Sequence, residues 1–340
     1  MATVEIEASA PMGSRMMSGN TLFHMGLEQK FADFLQKESG ILFGCGYLGV
    51  LGTLSSLVQK GDTILIDRLS HASMLDGTLL ASGTFRVFRH NDMQSLERHL
   101  KHSSRHRKGG VLIVTEGVFS MSGDLANLKD ICSLKEQYDA QLFIDDAHGF
   151  GVMGEHGQGT ASHCGVHDKV DIYFGTLSKA FASIGGIATG EERVVNWIRY
   201  NARTQIFTKS LPMIYVDVIA EALEKVRRED ERRNRLFENS RKLRNGLREL
   251  GFNVGDGPSP ITPVYVPAGD LDISMKIIAS MRESGIFITG AIYPVVPKGV
   301  ILLRMIPTAS HTDEDIAQTV AAFRKVRDAL RLDLEVAALK

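Results

Sequence analysis

Gly110-Val-Leu-Ile-Val-Thr115, the stretch Leu125 to Tyr138, and Gln141-Leu-Phe-Ile-Asp145 decide the fold when read together. The two outer runs are short, continuous and rich in β-branched residues, the pattern of strands buried on both faces. Between them Leu125, Leu128, Ile131, Leu134 and Tyr138 recur near one helical face. Strand, helix, strand in this rhythm predicts an α/β fold, a mostly parallel sheet covered by helices. Thr63-Ile-Leu-Ile-Asp67 and Asp171-Ile-Tyr-Phe-Gly175 carry the same pattern further out in each direction.

The second half reads differently. Pro212 to Leu250 is dense in Glu, Arg and Lys and predicts one or two long exposed helices; Glu224 to Arg235 is nearly all charge, the mark of a solvated face. Gly255-Asp-Gly-Pro-Ser-Pro260 breaks the chain. Ile261–Val266, Gly285–Thr289 and Val300–Ile306 are then expected as strands of a smaller α+β domain, closed by a helix over Ile316–Leu330. The domain boundary is expected within Leu211 to Arg228, giving a short N-terminal segment over 1–20, a large domain over 21–215 and a small one over 216–340. Lys101-His-Ser-Ser-Arg-His-Arg-Lys108 is expected as a surface loop, with an electrostatic patch for an acidic substrate such as a coenzyme A phosphate as its functional alternative.

Composition narrows the function classes. At 340 residues the chain suits about two domains of roughly 150 residues. Lys+Arg is 39 against Asp+Glu 40, which argues against a nucleic-acid binder and a polybasic membrane protein. Hydrophobic residues at 44% and charged residues at 23% argue against global disorder. Cys45, Cys132 and Cys164 show no C-x-x-C spacing, so reduced thiols in a cytoplasmic protein are expected rather than a disulfide framework or a zinc site. No apolar run approaches the ~20 residues of a membrane span, and Met1 to Gly19 lacks the apolar core of a signal peptide.

Polar residues follow the C-terminal ends of the apolar runs, where sites form in open parallel sheets. Four positions stand out. In Asp145-Asp-Ala-His148-Gly149 a buried strand delivers an acid and then a histidine three residues on. That pair suits a carboxylate holding a cationic ring nitrogen, and suits equally a helix-capping acid beside a surface histidine. In Gly175-Thr-Leu-Ser-Lys179 a lysine follows a strand; in a desolvated spot its amine is favoured as a neutral nucleophile, and Thr176 and Ser178 could donate to a phosphate. A surface lysine in a turn is the plainer reading. His71, after Thr63–Asp67, could stack on a flat ring or simply satisfy local structure. Phe43-Gly-Cys-Gly46-Tyr47 precedes the helix-like run Leu48–Val58, so backbone N–H groups there are available to a phosphate. Together the four make a pyridoxal 5'-phosphate (PLP) site.

The sequence resembles the α-oxoamine synthase family of fold type I PLP-dependent transferases, which includes 8-amino-7-oxononanoate synthase, 2-amino-3-ketobutyrate CoA ligase, 5-aminolevulinate synthase and serine palmitoyltransferase. The resemblance spans Gly13 to Leu330. It rests on Gly13-Ser-Arg-Met-Met-Ser-Gly-Asn-Thr21, Asp67-Arg-Leu-Ser-His-Ala-Ser73, Thr115-Glu-Gly-Val-Phe-Ser-Met-Ser-Gly-Asp124, Asp145-Asp-Ala-His-Gly149 and Gly175-Thr-Leu-Ser-Lys179. It implies a large domain with a mostly parallel, seven-stranded sheet and a smaller C-terminal α+β domain. It implies that Lys179 carries the cofactor as an imine, Asp145 pairs with the pyridine nitrogen, His148 contacts the phenolic oxygen, His71 stacks on the ring and Ser120 lies near the cofactor oxygen. Gly46 and Tyr47 match backbone donors to the phosphate, with Thr176 and Ser178 as hydroxyl donors. Arg304 resembles the arginine that grips an amino-acid carboxylate, a task suited to a bidentate fork. Ile206-Phe-Thr208-Lys-Ser-Leu-Pro212 resembles a segment that reaches a partner's site, so a homodimer with shared sites is implied and Thr208 joins the cofactor contacts.

The resemblance implies a decarboxylating condensation of an amino acid with an acyl-CoA to give an aminoketone. Phe181–Gly186 looks closest to bacterial serine palmitoyltransferases, Arg304–Thr308 to aminolevulinate synthase and Thr115–Asp124 to oxononanoate synthase. The expectation leans to a medium- or long-chain acyl-CoA with serine or alanine, glycine remaining a candidate. Three departures from the family stand out: an N-terminus shorter by several tens of residues, Val50 where asparagine is common, and Lys209 where a hydroxyl residue is common. Another fold type I activity, such as an aminotransferase, and a truncated or non-catalytic PLP-binding subunit are the rival readings.

Overall fold

The structure, a computed structural model, describes residues 13–106, 108–332 and 334. These divide into two units. The first runs to Val118 and resumes over Ala126–Glu229; the second takes Phe119–Leu125 and the described residues from Asp230 onward.

In the first unit the strands are β1 (Ser39–Phe43), β2 (Thr63–Asp67), β3 (Thr84–Phe88), β4 (Val111–Glu116), β5 (Gln141–Asp145), β6 (Ile172–Thr176) and β7 (Gly186–Gly190). They form one seven-stranded sheet in the order β1-β7-β6-β5-β4-β2-β3. From β6 to β3 every neighbouring pair is parallel; β7 runs antiparallel to both β6 and β1. Strands β2, β4 and β6 are buried at every position, as their continuous apolar sequence requires. β3 and β7 have no such runs in the sequence, and the short run Ile41-Leu-Phe43 of β1 lies outside the strands expected. β7, Gly-Ile-Ala-Thr-Gly, is a strand because its neighbours pair it on both edges.

The helices of this unit are α1 (Leu22–Phe34), α2 (Gly46–Leu57), α3 (Ala72–Leu80), α4 (Met93–His106), α5 (Leu128–Gln137), α6 (Thr160–His163), α7 (Glu192–Asn201), α8 (Arg203–Ile206) and α9 (Met213–Arg228). α5 is the expected crossover, burying Leu128, Ile131 and Cys132. The basic stretch expected as a loop is instead the end of α4: Leu96, Leu100 and Ser103 bury one stripe at helical spacing and leave Lys101, His102 and Arg105 outward, while residue 107 lies outside the described residues. The charge-rich stretch is two helices, as expected, but α9 buries Val216, Ile219 and Leu223 within the first unit. The unit therefore ends at Glu229, beyond the span placed at 215.

The second unit holds α10 (Asp230–Glu249), β8 (Thr262–Tyr265), α11 (Leu271–Glu283), β9 (Thr289–Ala291), β10 (Leu302–Met305) and α12 (Asp313–Leu330). Its sheet is antiparallel with β10 central between β8 and β9. Gly285 does not start a strand. It ends α11 at φ +78°, with Gly285 N–H donating to the Arg282 carbonyl and Ile286 N–H to that of Met281, so β9 begins only at Thr289. Arg233, read as part of a solvated face, is buried and paired with Asp230.

Phe174, on β6, is almost fully buried and packs its ring against Phe43 of β1 and Phe143 of β5, at 6.3 and 6.4 Å between centroids. Replacing it with alanine leaves a cavity in the middle of the sheet's core. Phe174→Ala is expected to cost about 3–5 kcal/mol, read from denaturant unfolding of the cofactor-free protein; a loss under about 1 kcal/mol would show that this core relaxes to fill the space.

Candidate active site

The C-terminal ends of β2, β5 and β6 bring the sequence candidates of the first unit together. Asp145 ends β5 and is 5% exposed; its Oδ1 accepts the Ala147 N–H at 3.1 Å. Burial pushes its carboxyl from 3.8 up to about 6, against the opposing pull of the Lys179 ammonium. His71 follows β2 and caps α3, its Nδ1 accepting the Ser73 N–H at 3.2 Å. Burial holds the imidazole below its ordinary range, and the Lys179 charge acts in the same direction. An acid and an imidazole far apart in sequence thus both feel Lys179.

Lys179 lies in the turn after β6, where Ser178, Lys179 and Ala180 are exposed. Of the two readings of the lysine, this is the plainer one, a lysine exposed on a turn: β6 ends at Thr176 and the turn follows it. His148, half-buried, rides on the turn after β5.

The residues expected at a phosphate lie at the start of α2 and after β6. The N-cap of α2, Cys45, makes no side-chain capping bond. The first residue of the helix, Gly46, has to be small because a Cβ there would meet Thr176 Oγ1 at 2.6 Å. Thr176 and Ser178 lie with their hydroxyls 2.9 Å apart. Amide donors at a helix start and a pair of hydroxyls therefore converge on one spot, the requirement for holding a phosphate. Tyr47 points its phenol to Asp76, with its ring edge-on to His71 at 6.1 Å between centroids. Val50 is buried in the core, so its side chain does not take the place expected of an asparagine at the site. Thr208 donates its hydroxyl to the Thr204 carbonyl at 2.6 Å.

In the second unit Arg304 sits on the central strand β10, and its Nε donates to the Ser120 carbonyl at 2.7 Å. The two residues are 184 positions apart. The bond fixes how the guanidinium is presented.

The sequence profile of the aminotransferase class I and II family matches residues 2–323. This chain belongs to that family. Pyridoxal 5'-phosphate is the cofactor of the family branch it resembles. The chain is 44% identical to a cysteate-C-fatty acyltransferase of Capnocytophaga ochracea over 97% of its own length and 79% of the relative's. It is 38% identical to an 8-amino-7-oxononanoate synthase of Alkaliphilus oremlandii, over 97% and 84%. A serine palmitoyltransferase solved with PLP superposes with a TM-score of 0.92 at 31% identity, covering 97% of this chain and 82% of that one. These relatives are PLP-dependent acyl-CoA condensing enzymes.

The residues fit that cofactor. A buried carboxylate whose ionisation is opposed by burial calls for a cation such as a protonated ring nitrogen, and a near-neutral imidazole presents a flat face to a ring. Among the described residues no group of three or more His, Cys, Asp and Glu side chains is placed to hold a metal ion, and no helix is long and apolar enough to cross a membrane. The residue the sequence reading passed over is Asp146. The doublet Asp145-Asp146 was its only signal, because its partners, Thr160 and Tyr173, lie 14 and 27 positions away.

Asp145 binds its proton more tightly folded than unfolded. Its contribution to stability is therefore full below about pH 3.8 and is lost as pH rises through about 6. That interval corresponds to about 3 kcal/mol. The cofactor-free Asp145→Asn protein is expected to unfold at a higher denaturant concentration than the native chain at pH 8 and at nearly the same one at pH 4, while binding PLP more weakly. Equal stability of the two proteins at pH 8 would refute the strained carboxylate.

Proposed function

We propose that this chain is an amino-acid C-acyltransferase that joins the α-carbon of an amino acid to the acyl group of an acyl-CoA. The reaction releases coenzyme A and carbon dioxide and leaves an aminoketone. The observation that carries the reading is the buried Asp145 carboxylate in the field of Lys179, in a chain 44% identical to a cysteate-C-fatty acyltransferase.

PLP, when bound, supplies an electron sink for negative charge at the amino acid's α-carbon. The chain's own groups do the rest. Lys179 would tether the cofactor's aldehyde through Nζ, and once displaced its Nζ is the base that takes the α-proton. Asp145 holds the proton on the ring nitrogen, which its buried charge favours. His71 would cover one ring face, and His148 would meet the phenolic oxygen. The Gly46 and Tyr47 amides, with Thr176 and Ser178, bind the phosphate. Arg304 binds the amino acid's carboxylate, and Ser120 orients it through the carbonyl that holds Nε.

A homodimer is part of the reading. Leu22, Phe23, Leu80 and Phe207 are between 64% and 82% exposed, which suits a covered interface better than water. Phe207 adjoins Thr208 in the segment that would enter the partner's site. Serine, alanine and glycine are the candidate amino acids, and the 44% identical relative adds cysteate.

The PLP-loaded protein is expected to show a visible band that shifts with one of these four amino acids and to release coenzyme A from an acyl-CoA in its presence. Lys179→Ala is expected to abolish release; turnover by that variant would sink the assignment. Arg304→Lys, which trades a bidentate fork for a point charge, is expected to raise KM for the amino acid about 10- to 100-fold, with a much smaller change in KM for the acyl-CoA. Equal changes in both constants would remove Arg304 from the carboxylate.

A further inference from the structure

Asp146 is fully buried beside Asp145, and nothing in the reaction uses it directly. Its Oδ2 accepts the Thr160 N–H and the Tyr173 hydroxyl, each at 2.6 Å, and its Oδ1 accepts the Thr160 hydroxyl at 2.6 Å. Three short donors on one carboxylate is the pattern of an ionised acceptor. Glycines wall it in: a Cβ at Gly117 or Gly149 would come within 2.0 and 2.2 Å of Oδ1, and one at Gly159 within 2.3 Å of Oδ2. A longer acid has no room there.

The backbone around it is equally tied. Asp146 N–H donates to the Phe174 carbonyl at 2.8 Å, and the Asp146 carbonyl accepts from Gly149 at 3.0 Å and Phe150 at 2.8 Å. Gly117 N–H donates to the Asp145 carbonyl at 2.9 Å. The Asp146 side chain therefore joins β6, at Tyr173, to the start of α6, while backbone bonds tie the turn that carries Asp145 and His148 to β6 at Phe174 and to Gly117 after β4.

We propose that Asp146 is the positioning residue for the acid end of the site: a carboxylate gripped from behind, which fixes the 145–149 turn and whose charge keeps the proton held by Asp145 in place. The proposal rests on the reading that Asp145 and His148 face PLP. Burial pushes Asp146 up to about 6 against its donors, so it is mostly ionised at neutral pH, and its charge adds to the upward push on Asp145. The other ionisable groups around it are Tyr173 on β6, Glu116 at the end of β4 opposite Asp145, Cys164 after α6, His148 on the turn, and Lys179, which opposes it through Asp145.

The test uses the full-length chain, PLP alone and two variants. Asp146→Asn removes the charge and keeps the size. Tyr173→Phe removes one donor and keeps the carboxylate, which then protonates at higher pH. The readouts are the pH midpoint of the bound cofactor's visible absorption and the melting temperature without cofactor. Asp146→Asn is expected to lower the midpoint by about half to one unit, and Tyr173→Phe to lower it less. If Asp146→Asn does not fold, Tyr173→Phe decides alone. Lower melting temperatures with an unmoved midpoint would mean a purely structural carboxylate and overturn the proposal. Absence of a visible band in the unaltered protein would remove the PLP reading, and this inference with it.

Discussion

The end of β5 buries two adjacent carboxylates, and the first unit is organised around that constraint. A buried carboxylate is costly unless something charged or hydrogen-bonded answers it. Asp146 is answered within the chain by Thr160 and Tyr173. Asp145 is answered only in part, by Ala147 N–H and by the Lys179 charge, and burial still drives it up to about 6. The same strand end thus holds two acids that burial drives up to about 6, Asp146 with three donors inside the chain and Asp145 with one backbone donor and the Lys179 charge, the latter proposed as the partner of a cationic ring. Perturbed acids of this kind are common at functional sites.

The sheet explains why the remaining groups meet there. Parallel strands all open their C-terminal ends on one edge, so β2, β5 and β6 deliver His71, Asp145 and the Thr176–Lys179 turn to a common place. The antiparallel β7 brings the start of α2 beside the end of β6, since it returns the chain from β6 alongside β1, whose own continuation starts α2 at Gly46.

A second buried charge cluster braces the opposite edge of this unit. Glu28 on α1 accepts from Arg15 at 2.7 Å, from Arg199 at 3.1 Å and from the Leu42 N–H at 2.9 Å. One acid so ties the turn before α1, helix α7 and edge strand β1. One helical turn earlier, His24 Nε2 is 2.7 Å from the Leu211 carbonyl, and Gly13 accepts from Ser210. The Gly13–Thr21 motif therefore anchors the segment around Thr208, which explains a sequence pattern with no catalytic side chain of its own.

The sequence by itself determined the parallel strands, the crossover helix and the residues after each strand, because buried strands and helical faces write themselves as local periodicity. Lys179, Asp145 and His71 were legible for the same reason, each belonging to a short motif beside such a run, whereas Arg304 was legible only through the family resemblance. Tertiary structure alone decided the rest. β7 is a strand through pairing, not composition. The basic stretch near Lys101 is helical because Leu96 and Leu100 found a core to cover. Lys179 is exposed rather than desolvated, since burial belongs to surroundings and not to neighbours in sequence. Asp146 gains its role from Thr160 and Tyr173, and no local pattern can announce partners that only folding brings within 2.6 Å.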